Sequence, residues 1–377
     1  MEKTVALAKC SSYDFEKVYS AIKEMMALCP PPDVKGKTVL LKPNILYPKK
    51  PELCVCTNPV VVGASVKAFL ELGAARVLVG ESPAVASSKA SAKSTGMLLM
   101  VEENGGEWAD FNDSKVTVDL PEGKIKKHFD FASPFSQADV VVSLSKLKTH
   151  QFMSYTGAMK NLFGLVVGLE KSQMHYFYPK KEDFAAYITD LNLAAKAGYA
   201  IMDAVIGMDG PGGPGSGDPI FLGFMAASQN LLALDCVCSK AVGYDPMEIV
   251  NQKDALERKV WLNSLSEIEI KGLSEKEIEN KNFRPVHAKH SAVTLSSMLP
   301  PAFDKIASFF LMRNPHFDKG KCIRCAKCIQ ICPPKVLSFR EDKSEKGKHV
   351  VINRKDCIHC FCCHEICPAD AIKLKKF

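Results

Sequence analysis

Ala138–His150 reads ADVVVSLSKLKTH, an apolar run that turns basic within a few residues. Its first half has the continuous Val/Leu character of a strand buried on both faces. Its second half runs on into QFMSYTGAMKNLFG, so that Lys146, Lys148, His150 and Lys160 precede Gly164 without one Asp or Glu among them. A strand that ends in unpaired cations raises two questions: which sheet it belongs to, and what negative group it meets.

Outward from this stretch, strand-like and helix-like runs alternate. TVALAKC reads as a strand and Phe15 to Leu28 as a helix. TVLL (Thr38–Leu41) is a buried strand leading into Lys42-Pro43-Asn44. Asn58-Pro59 opens a helix that ends near Gly73, with proline tolerated in its first turn. ARVLVGES, AGYAIMDAVIGM and IFLGFMA read as further strands, and KEDFAAYITDLNLAAKA and LLALDCVCSKAV as helices. This order predicts an α/β fold over residues 1–275, a mostly parallel sheet covered by helices in Rossmann-like layers. Residues 276–315 are polar, then Pro-interrupted, and read as a linker or docking segment; Ile306 to Met312 within it could lie against an apolar surface.

Ligands of open parallel sheets bind beyond the carboxyl ends of the strands. The unusual polar residues stand at those ends: Lys42-Pro43-Asn44, Glu81-Ser82-Pro83, Lys146 to His150, and Asp203 to Asp209. One cleft is therefore expected, with Lys42, Asn44, Ser82, Lys146, Asn161, Asp209, Gly210 and Gly212 as binding residues. His150, Lys148, Lys160 and Asp203 are the expected catalytic groups. Several lysines suit a carboxylate or phosphate. His150 suits acid–base work or metal ligation, while Asp235, inside an apolar helix, is placed to brace the site from behind. GMDGPGGPGSGDP contains Gly210-x-Gly212-x-x-Gly215, but no helix follows it and it lacks the Gly-Lys-Ser/Thr of a P-loop. It reads as a constrained loop that covers the substrate.

Nine of the fifteen cysteines fall between Cys322 and Cys367. CIRCAKCIQICPPKVL and CIHCFCCHEICPADAI repeat their ligands after 35 residues, the pattern of a two-cluster bacterial ferredoxin and of a small α+β domain over residues 316–377. In that pattern the Cys before Pro serves the other cluster. Cys322, Cys325, Cys328 and Cys367 are thus expected on one 4Fe–4S cluster, and Cys357, Cys360, Cys363 and Cys332 on a second. Cys362, matched by Lys327 in the repeat, is spare. Cys10, Cys29, Cys236 and Cys238 read as core, and Cys54-Val-Cys56 as a loop with a metal or redox role open to it.

The formal net charge of +7 is uneven, with 15 Lys/Arg against 7 Asp/Glu from Arg313 onward. Cluster thiolates offset this surplus, and no basic motif interleaved with aromatics supports nucleic-acid binding. The N-terminal apolar run is too short for a signal peptide and no segment spans a bilayer, so a cytoplasmic protein is expected.

LLKPNIL, GESP, KLKTH, GAMKNLFG, MDAVIGMDGPGGPGSG and ALDCVCSKAVGYDP, in this order, resemble the DUF362 family, α/β proteins often fused to a ferredoxin-like domain. The family is in turn distantly similar to nickel-pincer lactate racemases, which use lysine and histidine in an α/β cleft. His150 stands in a matching type of position and His175 is the nearest second histidine. The chain departs at Thr57-Asn58-Pro59, where members often have Thr-His-Pro. Together these features lead to an iron–sulfur oxidoreductase that takes electrons from an external low-potential carrier or partner enzyme to an anionic small molecule. The alternatives are a non-redox isomerase or ligand-binding protein with structural or sensory clusters, and an electron-transfer or maturation subunit.

Overall fold

The computed structural model describes residues 2–111, 114–287, 313–342 and 347–375. In chain order its strands are β1 (Thr4–Lys9), β2 (Thr38–Pro43), β3 (Arg76–Val79), β4 (Glu107–Trp108), a separate hairpin of β5 (Lys115–Asp119) and β6 (His128–Ala132), then β7 (Val140–His150), β8 (Ser154–Thr156), β9 (Tyr199–Asp209), β10 (Asp218–Ser228) and β11 (Glu269–Gly272). Among the described residues nine of them form one sheet in the order β11-β1-β10-β9-β7-β2-β3-β4, with β8 paired to β7. Strands β4, β3, β2, β7 and β9 are mutually parallel, β10 is antiparallel to β9 and β1, and β11 is parallel to β1. The sheet is mostly parallel, as expected. The exception has a local cause: the Gly/Pro run between β9 and β10 is too short for a crossover and can only close a hairpin.

Helices cover both faces. Phe15–Leu28 starts at Asp14, whose side chain accepts from Lys17 N, and Pro59–Glu71 starts at Asn58, which accepts from Val60 N. Both pack on the face that buries Val39, Leu41, Val142 and Leu144. Lys181–Ala195 and Leu231–Ala241 cover the other face, where Leu40, Val141 and Leu147 are buried. Strand alternation therefore puts Lys42 on the side of Leu40, and Lys146, Lys148 and His150 on the side of Leu144.

The α/β unit runs further than residue 275. Arg284 clamps Asp209, and Val286 N donates to the Tyr244 hydroxyl at 2.8 Å. The expected linker thus begins later, and its apolar part, Ile306–Met312, lies outside the described residues. The small unit holds β12 (Asn314–Phe317), β13 (Leu337–Asp342), β14 (Gly347–Ile352) and β15 (Ile372–Lys375), with β12 paired to β15 and β13 to β14. Its 35-residue repeat is visible in the backbone. Arg324 and His359, Ala326 and Phe361, and Lys335 and Asp370 all have positive φ, a conformation that costs a non-glycine residue about 1–2 kcal/mol and turns each loop around its cysteines.

Candidate functional site

The basic stretch is itself strand. Strand β7 continues through His150, and every residue from Val140 to His150 is buried. The four parallel strand ends do meet on one rim, but each cation there has a different fate.

Lys42 and Lys146 are satisfied from within. Lys42 is fully buried against Glu81, with Asn161 Oδ1 at 3.2 Å. Burial pulls the Lys42 ammonium down from its ordinary pKa and the Glu81 carboxylate opposes that shift. Gly164 must lack a side chain, because a Cβ would stand 2.2 Å from the Glu81 carboxylate and 2.5 Å from Lys42 Nζ. On the opposite face Lys146 donates to Asp203 Oδ2 at 2.9 Å and to the Tyr13 hydroxyl at 2.7 Å, and Tyr13 donates to Asp203 Oδ1 at 2.7 Å. Asn58 N adds a third bond to Asp203, at 2.9 Å. Of the expected groups, Lys42, Lys146 and Asp203 are therefore members of closed ion pairs rather than an open anion-holding wall.

Three other expected binding residues are structural as well, and so is Asp235, the expected brace. Asp209 is held by Arg284 N and Nε at 2.9 and 3.0 Å. Ser82 Oγ accepts from Gly168 N, and its carbonyl accepts from Lys171. Asn161 Nδ2 donates to Lys42 O and Ser143 Oγ. Asp235 accepts from Ala158 N and Met159 N at 2.6 and 3.0 Å, fixing the turn that carries Lys160. With no cation beside it among the described residues, burial pushes its carboxyl up to about 7.

Lys148, His150 and Lys160 are different. Lys148 Nζ donates to Asn44 Oδ1 at 2.7 Å and Val55 O at 2.6 Å, two neutral acceptors. Burial, opposed by the Cys56 thiol, pushes it down to about 7. The loop of Cys54 and Cys56 thus wraps Lys148, with both thiols buried and Cys56 Sγ donating to Tyr47 O. His150 Nδ1 accepts from Phe152 N at 3.0 Å and Met153 N at 3.3 Å. Burial, then Lys160, holds the imidazole well below its usual pKa, hence neutral. With Nδ1 committed as an acceptor, the ring proton sits on Nε2. His150 therefore presents an N–H to the site, and the lone pair a metal would need at Nε2 is not there.

What Nε2 faces comes from the small unit: Glu365 Oε1, at 3.4 Å. Neither atom has a hydrogen-bond partner among the described residues. Lys160 feels Glu365 more strongly than any other charge. His175, pushed down to about 3 by burial and by Lys160, stacks on Phe184 at 4.2 Å behind this group. Sequence reasoning missed Glu365, Tyr13 and Glu81 as partners. One signal for Glu365 was available: its repeat counterpart is the neutral Gln330.

The small unit is docked on the same rim. Cys360, Cys362 and Ile366 pack against Tyr47, Ala84 and Val85, the loops after β2 and β3. Lys327 Nζ donates to the Tyr47 hydroxyl at 2.9 Å, and Lys49 pairs with Asp370 at 2.9 Å. The Gly/Pro loop, expected to cover a substrate, instead receives the Cys362–Glu365 turn: a Cβ on Gly215 would lie 2.5 Å from Glu365 O. Thr149 Oγ1 fixes Gly210 O at 2.9 Å, and Gly212 is confined by Ser216 O.

Two cavities in the small unit test the iron–sulfur reading. One is lined by Cys322, Cys325, Cys328 and Cys367 with apolar residues and Arg324, the other by Cys332, Cys357, Cys360 and Cys363 with apolar residues alone. Among the described residues no three His, Cys, Asp or Glu close on a single metal ion. Quartets spread around a cavity suit a larger, sulfur-ligated guest, and Ala371 N already points at Cys367 Sγ, 3.3 Å away. Cys362 lines neither cavity.

Comparison with known proteins agrees with this division. The model of a domain of unknown function, DUF362, matches residues 39–240, more than half of the chain. The chain belongs to the DUF362 family. A 4Fe–4S dicluster domain matches residues 321–371, so the DUF362 domain is followed here by an iron–sulfur module of ferredoxin type. The thylakoid-associated protein sll1697 of Synechocystis sp. is 30% identical over 265 residues, 66% of this chain and 77% of that protein. Among solved structures, the lactate racemase apoprotein of Thermoanaerobacterium thermosaccharolyticum aligns with TM-score 0.38 and 14% identity. The match covers 63% of this chain and only 57% of the racemase. No described helix is long and apolar enough to cross a membrane.

Proposed function

We propose that this DUF362 protein is an iron–sulfur oxidoreductase. In this reading Cys322, Cys325, Cys328 and Cys367 hold one 4Fe–4S cluster, Cys332, Cys357, Cys360 and Cys363 a second, and the seat of Lys148, His150 and Lys160 holds an anionic small molecule. The observation that carries the proposal is the docking of Cys360 on the strand-end rim, in the same turn that sends Glu365 to His150. When bound, the clusters supply one-electron transfer between an external low-potential carrier and the seat.

The chain's own groups would do the rest. His150 Nε2–H and the two ammonium groups donate to oxygens of the ligand and stabilise charge that builds on them during reduction. Lys148, poised near pH 7, is the group able to give up a proton at neutral pH. The apolar wall of Phe152, Phe163 and Phe184 keeps water from the buried side. The protein would work in the cytoplasm.

The test is made anaerobically on cluster-loaded protein reduced with dithionite. A panel of small carboxylates and phosphates is added while cluster absorbance is followed. At least one member reoxidises the wild type, and Cys360→Ser slows that reoxidation about tenfold or more. If no member of the panel reoxidises the reduced protein, the oxidoreductase reading fails.

A further inference from the structure

Glu365 belongs to the iron–sulfur module, yet its carboxylate lies in the basic seat of the α/β unit. The charges on that rim do not balance evenly. Lys42 has Glu81 and Lys146 has Asp203, one carboxylate for each ammonium. Among the described residues, Lys148 and Lys160 have only Glu365 between them as a nearby carboxylate. The seat's hydrogen-bonding character is also one-sided. His150 offers an N–H, because its other nitrogen already accepts two backbone N–H groups. Lys160 offers an ammonium that makes no hydrogen bond of its own among the described residues. Lys148 has spent two donors on Asn44 and Val55 and has one left. A seat made only of donors takes an acceptor, and a carboxylate side chain is what it holds.

The fit of that side chain is poor. Among the described residues its Oε1 is buried without a hydrogen bond, and the facing His150 Nε2 is likewise unpartnered at 3.4 Å. Two buried polar atoms that face one another and do not bond leave both desolvated at a cost. An acceptor oxygen a few tenths of an ångström closer to Nε2 would satisfy that N–H.

We infer that the seat of His150, Lys148 and Lys160 is a carboxylate-binding site, and that Glu365 fills it as an internal surrogate which a substrate carboxylate displaces. This rests on the proposed function only for the word substrate; the site itself is defined without electron transfer. It narrows the ligand from any small anion to a carboxylic acid. It also makes the module that carries the cysteines the element that closes the empty seat.

The experiment uses the full chain with its iron–sulfur content intact, kept oxidised so that no electron transfer enters the readout. Acetate is the probe and acetamide, of the same shape but uncharged, is the control. Binding to wild type, Glu365→Ala and Glu365→Gln is measured by calorimetry and by the shift in melting temperature. Acetate binds Glu365→Ala about tenfold or more tighter than it binds wild type, where Glu365 competes. It raises the melting temperature of the variant while acetamide does not. Adding Lys160→Met to Glu365→Ala abolishes the effect. If Glu365→Ala does not fold, Glu365→Gln carries the same comparison, since it keeps the packing and removes the charge. Equal effects of acetate and acetamide, or equal acetate affinity in wild type and variants, overturn the inference and leave Glu365 as a docking contact. Because the probe is read on oxidised protein, the seat can pass this test while the redox reading fails, and the reverse.

Discussion

Lys146 and Lys148 stand two residues apart on one strand and on one face, and the sheet treats them differently. Lys146, like Lys42 across the sheet, is locked to a carboxylate of its own domain, and each donates to at least one further acceptor there. Lys148, with His150 and Lys160, meets neutral acceptors and one carboxylate borrowed from another unit. The first arrangement spends its charge on the fold. The second leaves charge and N–H groups directed at a seat. The residue type does not separate them; the distance along the strand from the covered part of the sheet does, because Lys146 still lies beside Asp203 of β9 while Lys148 lies past the irregularity where β9 bulges away.

The largest effect that would break this comparison comes from the locked pairs. Asp203→Ala leaves Lys146 buried and unpaired and removes an acceptor from Tyr13 and Asn58. Removing one partner of a buried ion pair costs about 3–5 kcal/mol, so the urea midpoint falls steeply. The double variant Lys146→Met/Asp203→Leu recovers most of that loss. A drop below about 1 kcal/mol for Asp203→Ala would mean that the pair is open to water and not locked, since that is what exposed pairs contribute.

Asp235 sharpens the comparison from the acidic side, as a buried carboxyl held by two backbone N–H groups and no cation. Its pKa is raised to about 7 from an ordinary 3.8. Between those values the unfolded chain has lost the proton that the folded chain keeps, so stability from this group is full below about pH 4 and falls as pH rises toward 7. Relative to Asp235→Asn, which cannot titrate, the wild type should lose roughly 2–4 kcal/mol across that window. Chemical denaturation of both proteins at pH 4.5 and 7, with the order of stability compared, is the check. A constant difference at the two pH values would show that Asp235 is ionised throughout.

Much of the fold was legible because the chain's local signals agree with its global packing. The helix Phe15–Leu28 and the Asn58-Pro59 start follow from apolar spacing and capping alone, and both stand where expected. The cysteine repeat predicted the two crossed quartets that line the two cavities. The lysines were found but their state was not. KLKTH was read as a strand end, although its Lys-Leu-Lys-Thr-His alternation has the period of a strand, with Leu147 in the core of the opposite face. Partners far away in the chain, such as Glu365 for His150 and Arg284 for Asp209, leave no local trace. Domain docking has no periodicity to read, and the one clue to it was a departure from the repeat at Glu365.

The smallest expected change is the most discriminating. Lys160→Met replaces a desolvated ammonium, whose pKa burial has already lowered, with an apolar side chain of similar length. Because Lys160 forms no ion pair within 4 Å among the described residues and Lys148 still serves Glu365, stability should change by no more than about 1 kcal/mol. Lys42→Met is the matched control: the same substitution on the same rim strands the Glu81 carboxylate and should cost several times more. The two variants unfold in parallel urea titrations under one buffer. If Lys160→Met were as damaging as Lys42→Met, the charge of Lys160 would belong to the fold, like the locked pairs, and the seat would have no cation to spare for a ligand.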